Sequence, residues 1–193
     1  MTVAEAKRQL RLPEEYTTDD AYLAELVEAA IDQTETYLGK SLITQKWLLV
    51  IDAFPQSSSG DDWWDGVREG TITMLQAQAP VNLLRHPVQG VDSITVYSPE
   101  DEATVVPSST YLVNKGAARV SLRNGQSWPS RIRPFDGVEI LYTTGYGDQP
   151  NVVPAAVRQA LRLIVAVWYE NREVGDMPVA ATDILDKHKV LRV

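Results

Sequence analysis

The side chains best suited to chemistry lie in the segment QSSSGDDWWDGVREG, residues 56–70. Its carboxylates are oxygen donors of the kind that divalent metal ions prefer, and they belong to Asp61, Asp62, Asp65 and Glu69. Their spacing does not match the alternating ligand positions of an EF-hand loop. The segment is therefore either a solvated acidic loop or the carboxylate–metal site of a nuclease-like enzyme.

Two adjacent tryptophans, Trp63 and Trp64, lie in the middle of this segment, which we expect to form a projecting loop. Large aromatic side chains favour burial, so the pair either folds back onto its own chain or anchors a partner surface. Arg68 is a further candidate for such a contact. A tryptophan-based module that binds a sugar or a peptide is thus another hypothesis for the chain.

The other residues that often carry catalysis form no catalytic set. The chain has no cysteine, which excludes disulfides, thiolate metal ligands and thiol nucleophiles. Its two histidines, His86 and His188, have neither the spacing of a zinc site nor that of a base beside a nucleophile. We therefore expect no enzymatic activity, no cofactor and no metal.

Charge and hydropathy restrict the possible partners. With 18 basic and 26 acidic side chains the formal net charge is −8, which argues against a broad phosphate-binding surface built from clustered lysine and arginine. No apolar run approaches the roughly 18 residues of a membrane span, and the start MTVAEAKRQL lacks the apolar segment of a signal peptide. The sequence predicts a cytosolic product that has no membrane partner.

Hydrophobic periodicity predicts an α+β fold. The helical pattern covers about residues 2–11, 19–38 and 154–173. In the second helix, Thr17 or Thr18 is expected as the N-cap and Gly39 as the left-handed C-terminal residue, while the carboxylates of Glu25, Glu28, Asp32 and Glu35 are expected on its polar face.

Between the helices lies a β-rich portion, about residues 42–145. It contains five segments rich in β-branched and aromatic residues, at 43–52, 91–98, 110–114, 118–122 and 137–145. We therefore predict N-terminal helices and a long C-terminal helix packed with an antiparallel sheet portion of about five strands.

The last long helix has an apolar arc of roughly 200°, about twice the stripe that packing on one core requires. A second surface must cover the excess, and Leu163, Val167, Trp168 and Arg172 are the candidates for a partner contact there. At a spacing of four residues, the Arg172 guanidinium is expected to lie along the Trp168 indole. Catalysis by Glu170 or Glu173 would need a second carboxylate opposite, which the sequence does not indicate.

Several segments in this order carry a resemblance: LITQKWLLVIDAFP, WWDGVREG, HPVQGVDSITVY, SWPS, DGVEILYTTGYGD, VPAAVRQA and WYENRE. From the first helix to about Glu173 the chain resembles the head-tail connector, or adaptor, family of long-tailed phages, prophages and gene transfer agents. The resemblance implies a virion structural protein that forms an oligomeric ring, typically of twelve copies, in the particle neck. It also implies assembly in the host cytoplasm and no enzymatic activity.

The resemblance further implies partners. The ring joins the portal protein to a tail-completion or stopper protein and continues the DNA channel, through which DNA passes without sequence-specific binding. Residues 1–178 are expected to form one connector domain followed by a tail, 179–193, that holds one short helix and orders on the portal. Candidate portal contacts in this tail are Ile184, Leu185, His188, Val190, Leu191, Arg192 and Val193. Trp63 and Trp64 are candidates for a neighbouring subunit or the tail side.

Overall fold

The structure is a computed structural model that describes residues 1–55 and 79–190 of the 193-residue chain. The chain divides into two compact units. The helical unit comprises Met1–Gln45, Arg85–Pro87 and Thr144–Val193, and the β-rich unit comprises Lys46–Leu84 and Val88–Thr143. The separate domain boundary at residue 178 stays a prediction.

The described part of the helical unit contains four α-helices: α1 (Val3–Leu10), α2 (Asp20–Leu38), α3 (Ala155–Asn171) and α4 (Val179–Asp186). A 3-10 turn, Pro150–Val152, precedes α3. The three predicted helices agree with α1, α2 and α3 to within two residues at each end. No helix in the described part of the chain is both long and apolar enough to cross a membrane.

Local sequence determines where these helices begin and end. Thr2 accepts a hydrogen bond from the Glu5 amide at 3.3 Å while the Glu5 carboxylate accepts one from the Thr2 amide at 2.9 Å, so a reciprocal capping box starts α1. Helix α2 ends at Gly39, which has the expected left-handed backbone at φ 66°. The N-cap prediction was wrong: Asp19 occupies that position, and its side chain does not cap the helix.

The apolar faces of all four helices meet in one core. Leu23 of α2, Ile164 and Trp168 of α3, and Leu185 of α4 are each at most 1% exposed. Helix α3 contacts α1, α2 and α4, so it is the central helix of the unit. This packing explains why α3 is apolar over such a wide arc.

The described strands form two sheets. One has the order β1 (Gln45–Ile51), β7 (Val138–Thr144), β3 (Val88–Tyr97) and β4 (Ala103–Val105), with β3 and β4 antiparallel. The other has the order β2 (Val81–Asn82), β6 (Arg119–Leu122) and β5 (Tyr111–Asn114), and both of its pairings are antiparallel. All strands lie in the β-rich unit except for the end residues Gln45 and Thr144.

The predicted α+β class is confirmed, and all five predicted strands are present. The structure adds β2 and β4, which are only two and three residues long. Such short segments contain too few residues to display a period of two. We predicted one sheet portion, and the described strands form two sheets. Their shared core contains Ile94, Val120 and Ile140, all fully buried, and a stacked pair formed by Phe54 and Trp128.

Candidate assembly surface

The predicted partner residue Trp168 lies in the core of the helical unit. Its side chain is 1% exposed, and its indole Nε1 donates a hydrogen bond to the Asp176 carbonyl at 3.4 Å. Leu163 and Val167 are partly buried against the same core. The structure therefore gives Trp168 a packing role within its own chain and leaves only parts of Leu163 and Val167 accessible.

The excess apolar arc of α3 is covered mainly from within the chain. Helix α4 packs on α3, as α1 and α2 do, and it contributes Ala181 and Leu185, both fully buried, to the common core. The width of the arc predicted a second covering surface without identifying it. That surface is α4, so the width of the arc does not by itself require a neighbouring subunit.

Arg172 does not lie along Trp168 as expected. Helix α3 ends at Asn171, and Arg172 adopts a left-handed backbone at φ 56°, which takes its side chain out of the helical register. Its guanidinium lies 5.2 Å from the ring centroid of Tyr169 and 5.5 Å from that of Tyr22. With 63% of its side chain exposed, Arg172 remains accessible to a partner.

Asp19 is the centre of a polar cluster at this end of α3. Its carboxylate accepts hydrogen bonds from Tyr169 Oη at 2.5 Å and from Tyr16 Oη at 3.2 Å, and it lies 3.5 Å from the Arg172 guanidinium. The Tyr169 hydrogen bond, more than the Tyr16 bond or the Arg172 charge, lowers the pKa of Asp19. All three contacts are made to Oδ2, and the Asp19 backbone, at φ −101° and ψ 10°, lies outside the extended region usual for an N-cap; its side chain does not cap α2.

The C-terminal segment folds onto the helical unit as far as residue 190. Tyr37 Oη donates a hydrogen bond to Asp186 Oδ1 at 2.5 Å, and the Lys189 ammonium lies 4.1 Å from the Tyr37 ring centroid. The Val190 amide donates to the Leu38 carbonyl at 3.2 Å. The expectation that residues 179–193 order only on a partner is therefore not met over 179–190.

The predicted portal contacts differ in accessibility. Leu185 is fully buried in the core, so its side chain is not available to a partner. Ile184, His188 and Val190 are partly exposed. The structure thus brings three of these residues to one accessible segment, and their contact with a portal stays a prediction.

Several candidates lie outside the described residues. They are Trp63, Trp64 and Arg68, the carboxylates Asp61, Asp62, Asp65 and Glu69, and the tail residues Leu191, Arg192 and Val193. Within residues 1–55 and 79–190, no three acidic or histidine side chains are grouped so as to hold a metal ion. The loop-based metal and tryptophan hypotheses stay predictions.

Glu35 has a structural role that the sequence analysis missed. It was placed on the polar face of α2, yet it is only 8% exposed. Its carboxylate accepts hydrogen bonds from the Leu42 amide at 2.6 Å and from Gln45 Nε2 at 3.0 and 3.1 Å. Helical periodicity carries no signal for this role, because the partners lie beyond the end of the helix.

Two grooves flank α1 in the helical unit. The groove shared with α2 has a volume of about 500 Å³ and is lined by Met1, Thr2, Val3 and by Ala24, Val27, Glu28, Ile31, Asp32 and Glu35 of α2. The groove shared with α3 has a volume of about 230 Å³ and is lined by Glu5, Arg8, Gln9 and Arg162. One groove is apolar with an acidic rim, and the other is polar with two arginines.

The N-terminal part of the chain is similar to a known protein family. Residues 1–62 match the family of phage gp6-like head-tail connector proteins. The connector resemblance seen in the sequence is thereby confirmed. No curated protein sequence matches the chain.

Solved structures extend the similarity to the whole chain. A chain in the virion of a native gene transfer agent particle is 25% identical, with a TM-score of 0.73, and the match covers 100% of this chain and 91% of that one. A chain in the neck of an empty gene transfer agent particle, computed with C6 symmetry, is 24% identical, with a TM-score of 0.72 and coverage of 100% and 91%. A chain in the neck of a native particle, computed with C12 symmetry, has 24% identity, a TM-score of 0.71 and coverage of 99% and 89%.

Proposed function

We propose that the chain is a structural subunit of a ring in the neck of a phage or phage-like particle. The observation that carries this proposal is the similarity of the entire chain to a gene transfer agent virion protein, together with the connector match over residues 1–62. Both helical and β-rich units are included in that similarity. In a cyclic assembly, the same contact between neighbouring copies of one chain repeats around the axis until the ring closes.

The finer parts of the proposal concern the ring's neighbours. A ring of twelve copies joins the portal to a tail-completion protein and continues the DNA channel, and the protein acts without catalysis. The formal net charge of −8 supports passage of DNA through the ring without tight binding, since a negatively charged protein does not attract the DNA phosphates. The accessible residues Ile184, His188 and Val190 are proposed as part of the portal contact.

Native mass spectrometry of the purified full chain tests this function, with and without the portal protein of the same particle. We expect a ring of about twelve copies, either alone or on the portal. A chain that stays monomeric and does not bind the portal protein would contradict the proposal.

The portal contact needs a milder test than deletion of residues 179–193. Such a deletion would remove Ala181 and Leu185 from the core and expose the apolar face of α3. The double variant His188→Glu with Val190→Glu instead changes accessible side chains and keeps α4. Weaker portal binding with an unchanged thermal unfolding temperature supports the contact, whereas unchanged portal binding would rule it out.

A further inference from the structure

The groove between α1 and α2, called here the acidic groove, has exposed carboxylates above an apolar floor. Val3 and Ile31 of its floor are partly exposed. Glu28 and Asp32 on its rim are exposed, and neither has an ion-pair or hydrogen-bond partner within residues 1–55 and 79–190. Glu35 at its end is already bound to Leu42 and Gln45. The rim carboxylates are therefore available to a partner.

The other flank of α1, called here the basic edge, presents arginines. Arg8 is exposed, and its Nε donates to the Ala4 carbonyl of its own helix at 3.3 Å. Arg162 of α3 lies 3.8 Å from Glu5, and 31% of its side chain is exposed. Two cations beside one carboxylate leave this edge with an excess of positive charge on a chain that is acidic as a whole.

We infer that the acidic groove of one copy receives the basic edge of the next copy, an inference that rests on the proposed ring. An arginine suits this groove because its aliphatic stem covers an apolar floor while its guanidinium reaches carboxylates at the rim. Arg8 and Arg162 of one subunit thus pair with Glu28 and Asp32 of its neighbour. The occupant is a second copy because the complementary charges are on the same chain.

The acidic groove and the basic edge are two different surfaces of one subunit, as a ring contact requires. A cyclic contact of more than two copies joins two different surfaces of the same subunit, head to tail. Here α1 lies between the two surfaces: the carboxylates of the groove come from α2, and the arginines of the edge come from α1 and α3. Complementary charges also suppress the competing contact of like surfaces, acidic groove on acidic groove, and so set the direction of assembly.

Charge reversal on each surface separately provides the test. The groove variant is Glu28→Lys with Asp32→Lys, and the edge variant is Arg8→Glu with Arg162→Glu. Each variant alone brings like charges together, so we expect assembly about tenfold weaker or more, measured by native mass spectrometry of the full chain, on the portal if the ring forms only there. The control is Glu102→Lys with Asp148→Lys, which matches the groove variant in charge change at exposed carboxylates elsewhere.

Mixing the two non-assembling variants is the decisive step. The groove variant has two positive surfaces and the edge variant two negative ones, so each surface of one meets its complement on the other. We expect the mixture to form rings with the variants in equal numbers. Circular dichroism checks that each variant is folded, and if a reversal variant is unfolded, Glu28→Gln with Asp32→Asn replaces it and should weaken assembly.

The outcomes separate this inference from the proposed function. If the wild type forms no ring, with or without portal, the proposed function fails. If the wild type assembles and either folded variant assembles equally well, the ring stands but the groove contact is wrong. The contact is also wrong if both variants fail alone and their mixture does not recover rings. Recovery in the mixture, with a control that assembles normally, supports it.

Discussion

Polar side chains lie inside the helical unit, whereas the interior of the β-rich unit is aliphatic and aromatic. The buried polar side chains of the described residues, Lys7, Thr34, Glu35, Ser41 and Thr144, all belong to the helical unit. Leaving a buried polar group unpaired costs more than an ordinary contact gains, and four of these five have a partner. Lys7, for example, lies 2.6 Å from Asp20 and donates to the Glu14 carbonyl. The hydroxyl of Thr34 has no hydrogen-bond partner within the described residues.

The two units are stabilised by different kinds of interaction. Apolar packing in the β-rich unit, as in the Phe54–Trp128 stack at 4.0 Å, depends on volume and shape. The helical unit adds hydrogen bonds and ion pairs that fix the segments between its helices. Substitutions of buried polar groups should therefore affect the helical unit most, while losses of core volume should affect both.

The largest effect is expected for Trp168→Ala. The indole is 1% exposed at the centre of the helical core, and its removal leaves a cavity that costs about 3–5 kcal/mol of the free energy of unfolding. Chemical denaturation followed by circular dichroism measures this loss. Trp128→Ala is the matched change in the β-rich unit, where the side chain is 8% exposed.

If the Trp168→Ala variant has the same free energy of unfolding as the wild type, the indole is not a core residue. A folded Trp168→Ala variant that fails to assemble would instead restore the subunit-contact interpretation of this side chain.

The sequence predicted the helices of the helical unit more completely than the strands of the β-rich unit. Helices α1, α2 and α3 each span eight or more residues, so their hydrophobic period and end signals predicted their first and last residues to within two positions. Strands β2 and β4 are too short for a period, and their pairing depends on distant segments. Local patterns cannot indicate such long-range pairing.

The assembly residues were harder to predict than the elements. The wide arc of α3 correctly indicated a second covering surface, but the pattern could not distinguish α4 of the same chain from a neighbouring copy. The Arg172 position depended on where α3 ends, since one left-handed residue redirected its side chain. Glu35 was misplaced because its partners lie outside its own helix.

An intermediate effect is expected for Glu35→Ala. The change removes the acceptor of the buried Leu42 amide and one acceptor of the Gln45 side chain, at a cost of about 1–3 kcal/mol in the free energy of unfolding. Glu139→Ala is the control in the β-rich unit, where Glu139 accepts one hydrogen bond from the partly exposed Tyr97.

Denaturant titration compares the two variants. A larger loss for Glu35→Ala than for Glu139→Ala supports the contrast between the units. Equal losses would mean that buried polar contacts do not distinguish the helical unit.

The smallest effect should appear in acid, at Asp19. The pKa of this carboxyl is lowered from 3.8 chiefly by the Tyr169 hydrogen bond. A carboxyl whose pKa is lower in the folded state stabilises the fold above its unfolded-state pKa, and this contribution is lost as pH falls through the folded value. We therefore expect the wild type to lose stability more steeply below about pH 4 than Asp19→Asn does.

Tyr169→Phe is the matched variant, because it removes the strongest of these partners and keeps the carboxyl. Its acid dependence should be shallower than that of the wild type, since the hydrogen bond that lowers the pKa of Asp19 most is lost. Thermal unfolding between pH 2 and pH 6, about two units on either side of the unperturbed value, resolves the three slopes. Identical slopes for all three proteins would show that the Asp19 cluster does not stabilise the helical unit in solution.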